Sequence, residues 1–207
     1  MYSKRSNLIL GFHGCDVKVA NEIISGKEQM LPSTNDYDWL GNGMYFWENN
    51  YSRALQFAEE QKERTINSEA SKKVENPAVI GAVIDLGYCL DLLESENLLI
   101  LKSSFETLQL FTEQNGLLLP QNKVSKHYDD LLVRHLDCAV IENIHAINKE
   151  INLTQYDSVR GVFWEGAELY PNAGFREKNH IQICIRNPNC IKGFFIPKQK
   201  YVDFQLP

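Results

Sequence analysis

Apolar residues recur along this chain with two different periods, and the alternation between them marks out the elements. Residues 7–13, NLILGFH, form an apolar run of strand length. Asp16 then stands as a helix N-cap, and Val19, Ala20, Ile23 and Ile24 follow at helical spacing until Gly26 stops them. Residues 27–40 are polar and turn-rich around Pro32. GNGMYFWENN, 41–50, predicts a short strand, and the helix after it places Ala54, Phe57 and Ala58 on one face with charges opposite. Residues 60–77, mostly charged or small, predict a frayed helix end or an exposed loop. AVIGAVIDLG, 78–87, is strongly apolar and predicts a central strand.

Helical patterns follow near 90–97 and 102–114, the second broken by Asn115-Gly116. A longer one covers about 126–149 and carries Leu131, Leu132, His135, Val140 and Ile144. Strands return at 159–164, 180–186 and 190–197. In HIQICIR, Ile181, Ile183 and Ile185 take one face while His180, Gln182 and Cys184 take the other. Strands and helices do not alternate regularly, which predicts an α+β domain rather than a doubly wound sheet.

Composition narrows the picture. A chain of 207 residues suits one domain with a core of its own. The net charge of −6 and pI near 5.4 argue against a surface that coats nucleic acid, while leaving room for a local basic groove. No apolar run approaches the ~20 residues of a membrane span, and the N-terminus lacks a secretory pattern. Five scattered cysteines, with no C-x-x-C pair, predict neither a metal set nor a disulfide framework, and so a reducing, cytoplasmic setting. Cys184 and Cys190 lie in apolar stretches, where a thiol behaves as a small hydrophobe.

Three places carry candidate chemistry. His13 ends a strand beside Gly14, where the backbone can approach a ligand closely. Tyr45 follows Gly41-x-Gly43 within a run of three aromatics. Successive strand residues alternate faces, so Tyr45, Phe46 and Trp47 cannot share one core. Gln182 sits in mid-strand, where a polar group must find a partner. Singly, each has an ordinary structural account.

In combination, GFHGCD (11–16), LGNGMYFWENNYSRALQFA (40–58) and NHIQICI (179–185) resemble the ADP-ribosyltransferase superfamily, in its poly(ADP-ribose)-polymerase-like His-Tyr-x branch. The resemblance implies a split, two-sheet core with an NAD cleft between the sheets, and a helical insertion over about 88–150. It implies that His13, Tyr45 and Gln182 are catalytic, and that His13, Gly14, Gly43, Tyr45 and Phe57 bind the donor. His13 would bond the adenosine-side ribose, and the Gly14 backbone would meet the nicotinamide carboxamide. Tyr45 would stack on the nicotinamide ring while Met44 and Phe46 face the core, and Phe57 would close the ring's other side. Segment 33–39, with Asp38 and Trp39, would lie over the donor.

The reaction so implied breaks a glycosidic bond through an oxocarbenium-like sugar, which needs a preorganised dipole or anion beside it. Many relatives place a Glu at the third position. Gln182 can accept a bond from the ribose 2′-hydroxyl but cannot act as a base, so poly(ADP-ribose) elongation is not expected. Glu177 and His180 are the alternatives for that position. Loop 165–179 would recognise the acceptor through Glu165, Glu168, Tyr170, Phe175 and Arg176, with Arg160 near its base pairing an acidic neighbour. His127, His135 and His145 read as structural.

The function implied is mono-ADP-ribosyl transfer from NAD, as co-substrate, to a protein or nucleic acid, without metal and without a membrane. A bacterial toxin or defence effector, held by an antitoxin, would fit that activity. The alternatives are an NAD glycohydrolase on the same fold and a catalytically silent module that binds NAD or ADP-ribose.

Overall fold

A computed structural model describes residues 8–65, 73–124 and 131–198. In chain order these form β1 (Leu8–Asp16), α1 (Val17–Ile24), β2 (Met44–Glu48), α2 (Tyr51–Thr65), β3 (Pro77–Asp85), β4 (Cys89–Asp91) and α3 (Ser95–Gln114). Then come β5 (Asn122–Lys123), β6 (Val133–Arg134), α4 (His135–Glu150), β7 (Ser158–Phe163), β8 (His180–Ile185) and β9 (Ile191–Phe195). Seven strands build a mixed sheet in the order β4-β7-β8-β2-β1-β3-β9, and β5 with β6 forms a separate ribbon. The architecture is α+β.

Several elements between 88 and 150 differ from the sequence reading, including the unpredicted β5–β6 ribbon, whose Val133–Arg134 falls within the expected helix. Cys89–Asp91 is a strand, paired in parallel with Ser158–Arg160, where the apolar pattern predicts a helix. Three residues are too few to show a period, and only the partner strand decides their conformation. The two helical patterns after it are one continuous helix, α3. The last helix begins at His135, and 125–130, with His127, lie outside the described residues. Asp16 is the N-cap of α1, accepting from the Lys18 N–H at 2.8 Å. The same carboxylate accepts from Glu75 and Asn76, which ties the start of α1 to the start of β3.

The three aromatics of β2 part as strand geometry requires, but both faces are covered. Met44 and Phe46 join Ala82, Ile84, Ile183 and Ile185 in one cluster. Tyr45 packs against Leu40, Ile141, Ile144, Val159 and Cys184 on the opposite face, and Trp47 meets Ala54 and Val79. Helix α1 brings Ala20 and Ile23 to the first side, and α2 and α4 cover the second. Burying a side chain as large as Phe46 contributes about 1.5–3 kcal/mol, so β2 is a strong organiser. Cys184 and Cys190 are buried in these clusters as small hydrophobes.

Pairing across the sheet is uneven. β1 and β3 are in register from Leu8↔Asp85 to Asp16↔Pro77, and β2 pairs β8 from Met44 to Trp47. Between β1 and β2 the register holds only Gly11↔Glu48 and Phe12↔Trp47. Past Phe12 these two central strands part.

Gly14, just beyond, lies under α2, and a Cβ there would overlap the carbonyl oxygen of Ala54. A helix backbone cannot yield as a flexible side chain can. Gly14→Ala is expected to destabilise the protein by about 1–3 kcal/mol. Urea unfolding reads this directly, and an unchanged midpoint would refute the close approach.

Candidate functional site

Cross-strand register decides which candidate residues share a face. Tyr45 lies opposite Cys184, and Trp47 opposite Gln182. Gln182 and His180 lie opposite Gly161 and Phe163 of β7. One face of the sheet therefore carries Tyr45, Trp47, Gln182, His180 and Phe163 together. His13 belongs to the other face, where its ring meets Phe46 edge-on at 6.0 Å.

The Gly41–Gly43 turn positions Tyr45. Gly41 takes φ +79°, a left-handed conformation that suits glycine. The Tyr45 hydroxyl donates to the Gly41 carbonyl at 2.7 Å and accepts from the Leu40 N–H at 3.1 Å. Burial raises its pKa, so the phenol stays neutral. The turn is also clamped from α4, because Glu142 accepts from the Asn42 N–H at 2.8 Å and pairs with Arg186. β8 fills the space at Gly43, where a Cβ would lie 2.5 Å from Cys184 Sγ.

Gln182 is already engaged. Its amide oxygen accepts from the Trp39 indole N–H at 2.6 Å. Gly161 makes the seat for that indole, since a Cβ there would lie 2.6 Å from the Trp39 ring. Trp39 also packs on Phe163 at 5.0 Å, and the Arg134 guanidinium lies over both rings.

His13 joins the other group through the backbone. Its Nδ1 donates to the Tyr45 carbonyl at 2.8 Å, across the gap where β1 and β2 part. Burial lowers its pKa against that bond, so the imidazole is neutral and Nε2 is left as an acceptor. Phe57 packs on Trp47, with ring centroids 4.9 Å apart and the planes tilted, and not on Tyr45. Tyr45 and Gln182 are thus brought to one face, Phe57 comes near them through Trp47, and His13 touches them only at a carbonyl. A cavity of about 520 Å³ opens elsewhere, lined by Thr34, Asp36, Asn42, Lys123, His135 and Glu142 among others, and by none of these four residues.

Of the two alternatives for the third position, Glu177 is exposed ahead of β8, while His180 is buried. His180 Nδ1 donates to the Lys178 carbonyl at 2.6 Å, and burial pushes its pKa down to about 4. In the 165–179 loop, Tyr170 and Phe175 are exposed, Glu168 accepts from the Asn172 N–H, and Arg176 covers the Trp164 ring at 4.6 Å. Glu165 does not face outwards: it is buried against Arg53 at 2.9 Å, because a desolvated carboxylate needs a paired cation. Arg160 has acidic neighbours, Asp91 at 3.0 Å and a two-pronged contact with Glu48. His135 contacts Asp36, and His145 packs against Tyr156.

Sequence reasoning missed Trp47, Arg53, Glu60 and Lys178 as neighbours of these residues. One signal existed: Arg53, Phe57 and Glu60 stand at i, i+4 and i+7, and so share a face of α2. Among the described residues, no group of three His, Cys, Asp or Glu side chains is placed to hold a metal ion, and no helix is long and apolar enough to cross a membrane.

No family model matches the chain, and no solved structure matches it. It is similar to a protein of Methanocaldococcus jannaschii described as uncharacterized, at 26% identity over 198 aligned positions, which span 87% of this chain and 83% of that one.

The low pKa of His180 has a stability consequence. An unfolded histidine titrates near 6.5, so between that value and about 4 the unfolded state binds the extra proton and folding weakens as pH falls. The contribution is full above pH 6.5 and declines by about 3 kcal/mol across that window. Urea midpoints measured against pH should show this slope in the wild type and a shallower one in His180→Phe. Parallel profiles would contradict it.

Proposed function

We propose that the protein transfers a single ADP-ribose unit from NAD to a macromolecular acceptor. The observation that carries this reading is the parting of β1 from β2 after Phe12, with His13 and Gly14 on one lip and Tyr45 on the other. The motifs GFHGCD and GNGMYFWE supply those lips in the order of the ADP-ribosyltransferases that they resemble. On this reading the sheet is the split core of that superfamily, and the donor enters where the two halves separate.

The chain's own residues then divide the work. His13, neutral with Nε2 as acceptor, holds a ribose hydroxyl. The Tyr45 ring is held in one orientation by the bond from its hydroxyl to the Gly41 turn, which fixes the partner that the nicotinamide would meet. As the C1′–N bond breaks, nicotinamide leaves neutral with the bonding pair, a lone pair of the acceptor closes on C1′, and the acceptor's proton passes to solvent water. Gln182 Oε1 accepts from the Trp39 indole with one lone pair and keeps the other for the ribose 2′-hydroxyl, so segment 33–39 holds the amide in place. A toxin or defence role in the cytoplasm, with an antitoxin partner, belongs to the same reading.

One observation favours a second reading, a silent module that binds NAD or ADP-ribose. The residue at the third position carries no charge, and its oxygen already accepts from the Trp39 indole.

Nicotinamide release from NAD, with and without cell extract, tests both. The wild type should release nicotinamide, extract should stimulate it, and Tyr45→Ala should lower the rate about 100-fold through lost positioning. Circular dichroism of the variant shows that the fold persists. Release indifferent to Tyr45 refutes the site, and NAD binding without release under any condition selects the silent module.

A further inference from the structure

Between α2 and the segment joining β7 to β8, three side chains carry polar nitrogens with no hydrogen-bond partner among the described residues. They are Trp47 Nε1, Arg53 Nε and Nη1, and His180 Nε2. Trp47 is 3% exposed and the other two are 6% exposed. They form one cluster. The Arg53 guanidinium lies 5.7 Å over the Trp47 ring, and the Trp47 and His180 rings are 6.0 Å apart, with Phe57 and Phe163 packed around them. Buried polar groups in folded proteins are almost always paired, so such a cluster calls for an occupant.

Its chemistry restricts what the occupant can be. A carbonyl only accepts, so the contact with Lys178 puts the His180 proton on Nδ1 and leaves Nε2 as a lone-pair acceptor. Trp47 and Arg53 present only donors. An anion would satisfy the donors but would meet the Nε2 lone pair and the carboxylates of Glu165 and Glu60, both in contact with Arg53. A cation would meet Arg53 itself. The group that fits is neutral and both donates and accepts, as a water does in the closed form and a hydroxyl does when a ligand takes its place. One hydroxyl oxygen cannot accept from all three N–H groups, whereas two adjacent hydroxyls can, while one of them donates to Nε2.

Ion pairs close the cluster. Glu165 pairs with Arg53 at 2.9 Å, and Lys178 pairs with Glu60 at 2.9 Å, which fastens both ends of segment 165–178 to α2. We propose that Trp47, Arg53 and His180 form a binding site for a neutral sugar diol, and that segment 165–178 is the strap that keeps it shut in this structure. Parting Arg53 from Glu165 opens the site and frees the guanidinium for the ligand. The diol and Glu165 of the strap then compete for the same cation. The site does not depend on NAD being the donor.

The test uses the full chain labelled with ¹⁵N, the Trp47 indole resonance assigned through Trp47→Phe, and methyl β-D-ribofuranoside as the probe. The sugar is expected to give a saturable shift of that resonance, with tighter apparent binding in Glu165→Gln, where the open form is more populated. His180→Phe, with its fold verified from the amide spectrum, should lose the response. Inorganic phosphate serves as the anionic comparison. No shift in either the wild type or Glu165→Gln, an undiminished shift in His180→Phe, or a response to phosphate in place of the sugar would each overturn the proposal. If NAD gives no nicotinamide release while the sugar still titrates Trp47, the diol site stands and the transferase reading falls.

Discussion

Burial on both faces of β2 is the constraint from which the arrangement follows. Met44 and Phe46 commit one side of the strand to a core closed by α1, and Tyr45 and Trp47 commit the other to the layer of α2 and α4. A sheet covered on both sides offers a ligand no open face, so access has to come at a discontinuity in the pairing or at the edge of a covering element. The structure has both, and they lie close together: the parting of β1 from β2, and the strap between β7 and β8.

Glycine sets how closely the layers approach. At Gly14 the α2 backbone lies directly against β1, and at Gly161 the missing side chain admits Trp39. Each contact fixes the geometry of a polar group nearby. The first holds α2 where Arg53 reaches Trp47 and Glu165, and the second brings the Trp39 indole to Gln182. Polar groups near the sheet are thus placed by backbone approach as much as by their own bonds.

Charges in the interior are paired across elements far apart in the chain. Arg160 joins β7 to Glu48 of β2 and Asp91 of β4, Arg53 joins α2 to Glu165, and Arg186 joins the end of β8 to Glu142 of α4. Such pairs add modest net stability but are costly to break singly, so they fix register and orientation more than they hold the fold together. The Arg53 pair differs in leaving two nitrogens of the same guanidinium without hydrogen-bond partners among the described residues, which makes it the one of the three suited to exchange a carboxylate for a ligand.

The sequence by itself determined the elements with a clear period: the Asp16 cap and its helix, the apolar 78–87 strand, the alternating HIQICI strand and the α2 face. Period and capping are local properties, set within a few residues by backbone geometry and side-chain alternation. The order of His13, Tyr45 and the late strand along the chain was legible too. Tertiary structure alone decided that Cys89–Asp91 is a strand, that His13 and Tyr45 lie on opposite faces, and that Gln182 is bound by Trp39. It alone buried Glu165 and gathered Trp47, Arg53 and His180. These outcomes depend on which strands become neighbours and in what register, and no local pattern encodes a partner lying a hundred residues away.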